Sequence, residues 1–364
     1  MNILSRYIAW KVFQGILLAF LIVTMIVMLI DFVEGSRNIG VDEQVNAFTL
    51  LKLTLLKTPQ IIEQTVPFVI LFGVMGSLHS LSKRSELTVL RASGLSAWRF
   101  LFPAFIFVFL LGIIWSLGLN PLASKAMSMH NEIVATQIKN KNRDASQNPI
   151  WLREGTSYKQ TVIYAKNSDR YSKILQDATF TVFETNPSGD LEFRYRFDTK
   201  KAVLLPTNYW QLNDVIENSS DGVTQFNTEV SLPTDITPEQ LNLARKSAAL
   251  PAFWELPGEI KKLSQAGFSN VTLRIQWNKL LALPFTLIAM TVIASGASLH
   301  LTRQGTTLKL MLLGGVIGFS VYFLESIIRA FGEAGSISVP LAIWSIPTLV
   351  LLLGTVYLSK IEDG

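Results

Sequence analysis

Residues 12–30 have the sequence VFQGILLAFLIVTMIVMLI, which contains no charged side chain. An α-helix rises about 1.5 Å per residue, so about 20 apolar residues are needed to cross the hydrocarbon core of a bilayer. The run therefore predicts a membrane-spanning helix. Arg6 and Lys11 precede it, as in a secretory signal, but the run is too long for one and no small-x-small cleavage site follows it. We expect this helix to be retained in the protein.

The composition of the whole chain is that of a membrane protein. Of its 364 residues, 49% are hydrophobic and 16% are charged, whereas soluble domains carry about 25% charged residues. The net charge of +5 comes from basic residues spread along the chain. This distribution fits the basic cytoplasmic loops of a membrane protein, so nucleic acid is not expected as a partner.

Two kinds of chemistry are excluded by what the sequence lacks. It has no cysteine and only three histidines, which lie far apart. It therefore offers neither thiolate ligands nor a histidine cluster for a metal. It also has no GxxxxGK[ST] phosphate-binding loop. We expect no catalytic residue, no metal site and no nucleotide site in this chain.

Five further runs have the length and composition of membrane spans. They are residues 61–81, 100–119, 280–301, 308–328 and 340–358. With the first run they make six spans, three on either side of a long polar interruption. The predicted organisation is a helical domain at residues 1–120, an inserted domain at 121–276, and a second helical domain at 277–364.

Lysine and arginine are concentrated in the connections on one side of the predicted spans. Basic residues near span ends tend to stay in the cytoplasm, and the residues that decide the orientation are Arg6, Lys11, Lys83, Arg84, Arg91, Arg99, Arg303, Lys309 and Lys360. The connection after the first span is instead rich in acidic residues. Both termini are therefore predicted to be cytoplasmic, and residues 121–276 to be exported.

The inserted domain has the period-two pattern of β-strands. The stretches TVIYAK at 161–166 and ATFTVFE at 178–184 alternate apolar and polar residues, and NPSGD at 186–190 is a strong turn signal. The other predicted strands are residues 151–154, 191–197, 201–205 and 209–215, and a short helix follows at 257–267. Short strands separated by turns predict an antiparallel sandwich or jelly roll. The predicted fold class is an α-helical membrane protein with six transmembrane helices and an inserted all-β, jelly-roll-like domain.

The charged stretch RSELTVLRASG at residues 84–94 lies between two of the most hydrophobic runs in the chain. Ser82 or Ser85 can cap a helix there, Glu86 favours the amino end of that helix, and Gly94 can end it. A helix of about two turns is too short to be stable alone, so it must dock on something. It lies either on lipid head groups or in a cytoplasmic partner.

The same stretch carries a family resemblance. The segment KRSELTVLRASGLS at 83–96, placed directly after the second span, resembles the coupling segment of the lipopolysaccharide export permeases, the LptF and LptG family. Similar features of that family stand at LSRYI (4–8), IWLRE (150–154), LPGEIKKLSQAG (256–267) and between Lys279 and Pro284. The end of the first span, IDFVE at 30–34, is more similar to LptG than to LptF.

The resemblance implies a permease subunit of an ATP-driven ABC transporter in the bacterial inner membrane. Two homologous permeases, here with LptF as the partner, would extract lipopolysaccharide and pass it to the bitopic LptC and the periplasmic LptA bridge. ATP and Mg would be bound by a separate LptB ATPase dimer, so no cofactor is expected in this chain. The short helix would contact that ATPase, and the residues implied in the contact are Arg84, Ser85, Glu86, Leu87, Leu90, Arg91 and Gly94.

Charged residues near the outer ends of spans one and five are further candidates, because charges at membrane depth are costly. In the family these spans hold the phosphorylated sugar head group, which implies a substrate cavity lined by Asp31, Glu34, Arg37, Glu325 and Arg329. Since an anionic ligand prefers bases, Arg37 and Arg329 are the expected contacts, and the acids would orient them or bind bridging cations.

Interpretations without a ligand also stay open for these charges. Glu325 and Arg329 are four residues apart, so they can form a purely structural pair on one helical face. Glu63 belongs either to the same rim or to the membrane interface, which its side chain would reach by snorkelling.

Two other classes of function also stay open. A secondary transporter would use an ion gradient without an ATPase, and typically has helices interrupted at mid-membrane. A membrane-anchored receptor or scaffold with a periplasmic β domain would need no cavity. Co-purification with an ATPase, and binding of lipid to the helical part, would separate these classes.

Overall fold

The computed structural model describes residues 3–38, 46–92, 96–134, 150–155, 158–168, 174–186, 190–234, 236, 250–265, 269–299 and 307–363. The chain divides into two compact units. The membrane unit comprises Met1–His130, Pro251–Pro257 and Val271–Gly364. The sheet unit comprises Asn131–Leu250 and Gly258–Asn270.

The described helices lie before and after the sheet in the sequence. They are α1 (Ile3–Asn38), α2 (Ala47–Lys83), α3 (Glu86–Ala92), α4 (Ala97–Ile114), α5 (Asn120–Ile133), α6 (Leu256–Gln265), α7 (Val271–Leu299), α8 (Thr307–Glu333) and α9 (Val339–Asp363). A single π-helical turn, Trp115–Leu119, joins α4 to α5. These three segments together form one continuous helix from Ala97 to Ile133.

Among the described residues, six helical stretches are long and apolar enough to cross a membrane, which confirms the six predicted spans. They are Ser5–Arg37, Ala47–Lys83, Ala97–Ile133, Val271–Ser298, Leu312–Glu333 and Val339–Lys360. Several are longer than predicted because the helices continue past the apolar run into polar sequence. The second span, for example, begins at Ala47 rather than at residue 61, and so includes Lys57.

Helices α2 and α7 form the centre of the membrane unit. In their most apolar stretches 67% and 72% of the residues are buried within the protein, against 11% for α1 and for α8. The side chains that α1 and α8 expose are large and apolar, such as Leu18, Met25, Leu312 and Phe319. Apolar exposure of this kind suits helices that face lipid rather than water.

A proline in α7 explains one close contact in this unit. Pro284 has no N–H, so the carbonyl of Leu280 loses its helical donor. The hydroxyl of Ser116, in the π turn, donates to that carbonyl oxygen at 2.7 Å. Gly112 allows this approach, since a Cβ there would lie 2.6 Å from the Cα of Pro284. The π turn is thereby fixed to α7 at the carbonyl that the proline leaves without a helical donor.

The sheet unit contains one six-stranded antiparallel sheet among its described residues. The strands are β1 (Ile150–Gly155), β2 (Lys159–Ser168), β3 (Ile174–Thr185), β4 (Leu191–Leu204), β5 (Tyr209–Ser219) and β6 (Thr224–Pro233). Each pairs with its neighbour in sequence, in the order β1 to β6. This is an up-and-down meander, so the inserted antiparallel sheet is confirmed, whereas the jelly-roll closure stays a prediction.

One face of the sheet packs on an apolar core in which Phe180 and Trp210 are fully buried and stack edge to face at 5.7 Å. The turn predicted at 186–190 joins β3 to β4, and the backbone N–H of Asn186 donates to the carbonyl of Asp190 at 2.8 Å. The separate strands predicted at 191–197 and 201–205 are a single strand, β4. The last strand, β6, was not predicted.

Candidate functional site

The short helix between spans two and three is present as α3. It begins at Glu86, directly after the carboxyl end of α2 at Lys83. Ser82 lies inside α2, and Ser85 has a left-handed φ of 60°. Neither residue therefore has the extended backbone typical of an N-cap. Gly94, the predicted end of this helix, lies outside the described residues, as does the side chain of Arg91.

The two leucines of α3 face the interior of the membrane unit. Leu87 is 6% exposed and belongs to the apolar core of that unit, and Leu90 packs against the same core. Docking of this apolar face supplies the stabilisation that two turns of helix lack by themselves. The opposite side of the segment, with Arg84, Ser85 and Val89, is exposed. That exposed side is the part of α3 that a partner protein can reach.

The carboxylate of Glu86 is bound from the first helix. The hydroxyl of Tyr7 donates to Oε2 of Glu86 at 2.8 Å. The ammonium of Lys11, one turn further along α1, lies 5.6 Å from the centre of the Tyr7 ring. The hydroxyl of Ser77 on α2 donates to the backbone carbonyl of Lys11 at 3.0 Å. The start of α1 is therefore connected to both α2 and α3.

A salt bridge joins the far ends of α1 and α2. The Oδ1 atom of Asp31 lies 2.5 Å from Nζ of Lys57, and the side chain of Asp31 is 10% exposed. Sequence reasoning singled out Asp31 but missed Lys57, because it assigned Lys57 to a loop ahead of span two. Glu34 and Arg37, on the last turns of α1, are exposed. Of these candidates, Asp31 is nearly buried and paired with a partly exposed lysine, and Arg37 is accessible to a ligand.

The salt bridge of Arg329 is with a different acid from Glu325, its predicted partner. The guanidinium Nε of Arg329 lies 3.9 Å from Oε1 of Glu333, one turn further along α8. Glu325 is instead within electrostatic range of Lys279 on α7, as well as of Arg329. Glu325 and Glu333 each lie four residues from Arg329 along α8. Glu333 is at the exposed end of this helix, so its carboxylate stays in contact with solvent. Lys279, which was not among the predicted site residues, is within electrostatic range of Glu325 and Arg329 and also of Glu63, so the membrane unit has a mixed cluster of charges here.

Glu63 is an interior residue rather than one that snorkels to the membrane interface, and it lies within electrostatic range of Lys279, which is also in range of Glu325 and Arg329. It is 7% exposed, and both carboxylate oxygens accept hydrogen bonds from buried amides. Nδ2 of Asn120 donates to Oε2 at 2.8 Å, and Nε2 of Gln276 donates to Oε1 at 3.2 Å. Burial of a carboxylate is costly unless its acceptors are satisfied, and here the two amides satisfy them. Glu63 is thus an interior residue that connects α2, α5 and α7.

Comparison with known proteins identifies the family. The family model of the lipopolysaccharide export system permease LptF/LptG matches residues 6–360. Two curated relatives are the lipopolysaccharide export system permease protein LptG of Escherichia coli strain K12 and that of E. coli O6:H1 strain CFT073. Each is 21% identical over 343 residues, which cover 90% of this chain and 89% of the relative. Because the family match spans nearly the whole chain, the protein belongs to the LptF/LptG family of lipopolysaccharide export system permeases.

Proposed function

We propose that this chain is the LptG-type permease subunit of an ATP-driven lipopolysaccharide exporter in the bacterial inner membrane. The observation that carries the proposal is α3, a short charged helix docked between spans two and three of a chain that matches this family from residue 6 to residue 360. The sequence has no phosphate-binding loop of its own. ATP would therefore be hydrolysed by a separate LptB dimer, with Mg bound there.

The exposed side of α3 is the surface that meets the ATPase. Leu87 and Leu90 dock the helix on its own spans, so their part in the contact is to hold the helix in place. Arg84, Ser85 and Glu86 are at the accessible amino end. A carboxylate and basic residues at the rim of such a contact favour charged groups of the opposite sign on the partner and fix its orientation. Arg91 and Gly94 complete the proposed segment.

The charged residues at the other end of the spans contact the substrate. Lipopolysaccharide carries phosphorylated sugars, and basic side chains bind phosphate oxygens well. Arg37 is exposed and Arg329 is partly exposed, so they are the proposed direct contacts. Glu34 and Glu325 orient these bases, and the salt bridge between Asp31 and Lys57 presents a further ammonium.

The topology follows from the positive-inside rule. The membrane unit forms the transmembrane part with both termini in the cytoplasm, and the sheet unit, Asn131–Leu250 and Gly258–Asn270, forms the periplasmic domain. The sheet would receive the lipid and pass it to LptC and the LptA bridge. A second permease, LptF, would complete the cavity.

A charge reversal at Glu86 tests the proposal. We expect Glu86→Arg to abolish ATP-driven release of lipopolysaccharide from proteoliposomes that contain the purified complex. The reason is that an arginine would repel the basic groups expected opposite Glu86 in the ATPase. Co-purification of the ATPase with the tagged permease is measured in the same preparations, and we expect it to be reduced.

The control is Asp221→Arg, which makes the same change of charge at an exposed position in the turn between β5 and β6. This variant should bind the ATPase and export lipopolysaccharide as the parent does. Unchanged association and export in Glu86→Arg would refute the role of α3. Export driven by an ion gradient without any ATPase would favour the secondary transporter instead.

A further inference from the structure

The hydrogen bonds around Glu63 have one possible direction. The backbone N–H of Phe253 donates to Oδ1 of Asn120 at 2.9 Å. This contact fixes the amide of Asn120, because its oxygen must face Phe253 and its nitrogen must then face Glu63. The amide nitrogen of Gln276 donates to the second oxygen of Glu63. Position 63 must therefore accept at both oxygens, which a carboxylate does and a glutamine side chain does not.

Phe253 belongs to a segment that returns the chain to the membrane unit. We call this segment, Pro251–Pro257, the return segment. The indole N–H of Trp254 donates to the carbonyl of Leu117 at 3.1 Å, inside the π turn. The ring of Phe253 stacks on Trp277 of α7 with a centroid distance of 4.5 Å. The return segment is thus held by two polar contacts to the third span and by ring stacking on α7.

The π turn supplies the geometry for these contacts. Single π turns inside α-helices are rare and are frequent at functional sites. This one lies directly before Asn120. It presents the carbonyl of Leu117 to Trp254 and the hydroxyl of Ser116 to Leu280. Four hydrogen-bonded side chains, at positions 63, 116, 120 and 276, are each under 9% exposed. A polar cluster of this size inside a membrane unit is costly unless every member is satisfied.

We propose that Glu63 is a positioning residue for export. Glu63, Asn120 and Gln276 form a polar latch that holds the return segment on the π turn, and export requires this latch to be intact. The dependence of export on the latch rests on the proposed function. The existence of the latch does not depend on the proposed function, because its effect on the backbone of the return segment can be measured directly.

Hydrogen–deuterium exchange of the intact complex tests the latch. In Glu63→Leu, the amide nitrogens of Asn120 and Gln276 both lose their acceptor, so the network loses two hydrogen bonds. We expect the amide of Phe253 to exchange at least about tenfold faster, the change expected from loss of a buried hydrogen bond. Unchanged exchange in the peptide that contains residues 251–257 would overturn the latch.

A double variant restores every hydrogen bond and moves the negative charge from position 63 to position 120. In Glu63→Gln with Asn120→Asp, the aspartate accepts from Phe253 with one oxygen and from the new glutamine nitrogen with the other. The glutamine oxygen still accepts from Gln276. We expect exchange at Phe253 to return to the parent rate in the double variant, although Asn120→Asp alone, which places two carboxylates against each other, raises it. A double variant as perturbed as Asn120→Asp contradicts the proposed directions. If Glu63→Leu fails to fold, Asn120→Asp alone and the double variant provide the same comparison.

The effect on export is measured as lipopolysaccharide released per ATP hydrolysed, at equal amounts of assembled complex. A purely structural role would lower the melting temperature or the yield and leave this ratio unchanged. We expect the ratio to fall in Gln276→Leu, and to stay at the parent value in Gln64→Leu, which changes an exposed glutamine on α2. Faster exchange at Phe253 with an unchanged ratio would leave the latch in place and remove its role in export. Loss of the exporter assignment would be seen separately, in the Glu86→Arg experiment.

Discussion

Glu63 and Glu86 belong to neighbouring helices of the membrane unit, and their surroundings are opposite. Glu63 is buried on α2, and both of its oxygens accept from amides of its own chain, Asn120 and Gln276. Glu86 begins α3 at the surface and accepts from the hydroxyl of Tyr7, which is 38% exposed. Both residues are glutamates within or beside membrane spans, where charges are expensive.

The difference shows how to separate an internal charge from one that meets a partner. A buried carboxylate whose acceptors are all satisfied within the chain is part of the packing, and its removal leaves its donors unsatisfied. A surface carboxylate keeps access to solvent, so that its removal costs the fold little. The burial and hydrogen-bond partners of the residue, more than its position along a span, decide which role it has.

The largest expected effect is the loss of stability in Glu63→Ala, compared with the same truncation of Glu86. Glu63→Ala leaves two buried amide donors without an acceptor, and we expect it to lower the free energy of unfolding by about 1–3 kcal/mol. Glu86→Ala should cost about 0.5 kcal/mol, because the hydrogen bond that it loses to Tyr7 is exposed. Thermal unfolding of the two variants in the same detergent measures the difference. Equal melting temperatures would contradict the contrast between the two sites.

A smaller effect is expected at the salt bridge between Asp31 and Lys57. Lys57→Ala leaves a carboxylate that is 10% exposed without its ammonium, whereas the side chain of Lys57 itself is 35% exposed. Partial solvation reduces the loss, and we expect about 1 kcal/mol. The double variant Asp31→Asn with Lys57→Gln removes both charges and should be more stable than Lys57→Ala. Thermal unfolding checks the order, and the reverse order would show that Asp31 has another partner.

The smallest expected effect concerns the hydrogen bond between Tyr7 and Glu86. Tyr7→Phe removes one hydroxyl, and with it the hydrogen bond that connects α1 to α3. Because this bond is exposed, we expect about 0.5 kcal/mol of lost stability and reduced lipopolysaccharide release per ATP. The matched control is Tyr357→Phe, which removes a hydroxyl from an exposed tyrosine on α9. A release ratio that falls equally in both variants would argue against a specific contact with Glu86.

The sequence predicts the spans well because the bilayer imposes a long apolar run on each of them. It predicts their ends poorly. Lys57 lies on a helical extension of span two, where hydropathy no longer marks the helix, and it was therefore missed as the partner of Asp31. Strand β6 has the same alternation as the other strands, because polar residues separate Phe226, Val230 and Leu232 at even positions, so its signal was present and was overlooked.

The network around Glu63 could not be predicted from the sequence. Its partners Asn120 and Gln276 are 57 and 213 residues away along the chain, and no local pattern relates positions so far apart. The π turn depends on packing against Pro284 and on a hydrogen bond from Trp254. Its sequence, WSLGL, has no signal of its own. The resemblance in the segment 83–96 identified the family without showing which side of α3 is docked.

The π turn also sets the rotational phase of the third span. Such a turn accommodates one residue more than an α-helical turn, and one residue corresponds to about 100° of rotation around a helix axis. Wound as a regular α-helix without the π turn, the same residues would direct Asn120 about 100° away from Glu63. Loss of the π turn alone is thus equivalent to rotating the part of this helix that follows it, whereas a homologue that lacks both the π turn and one of its residues would keep the same residue opposite its glutamate.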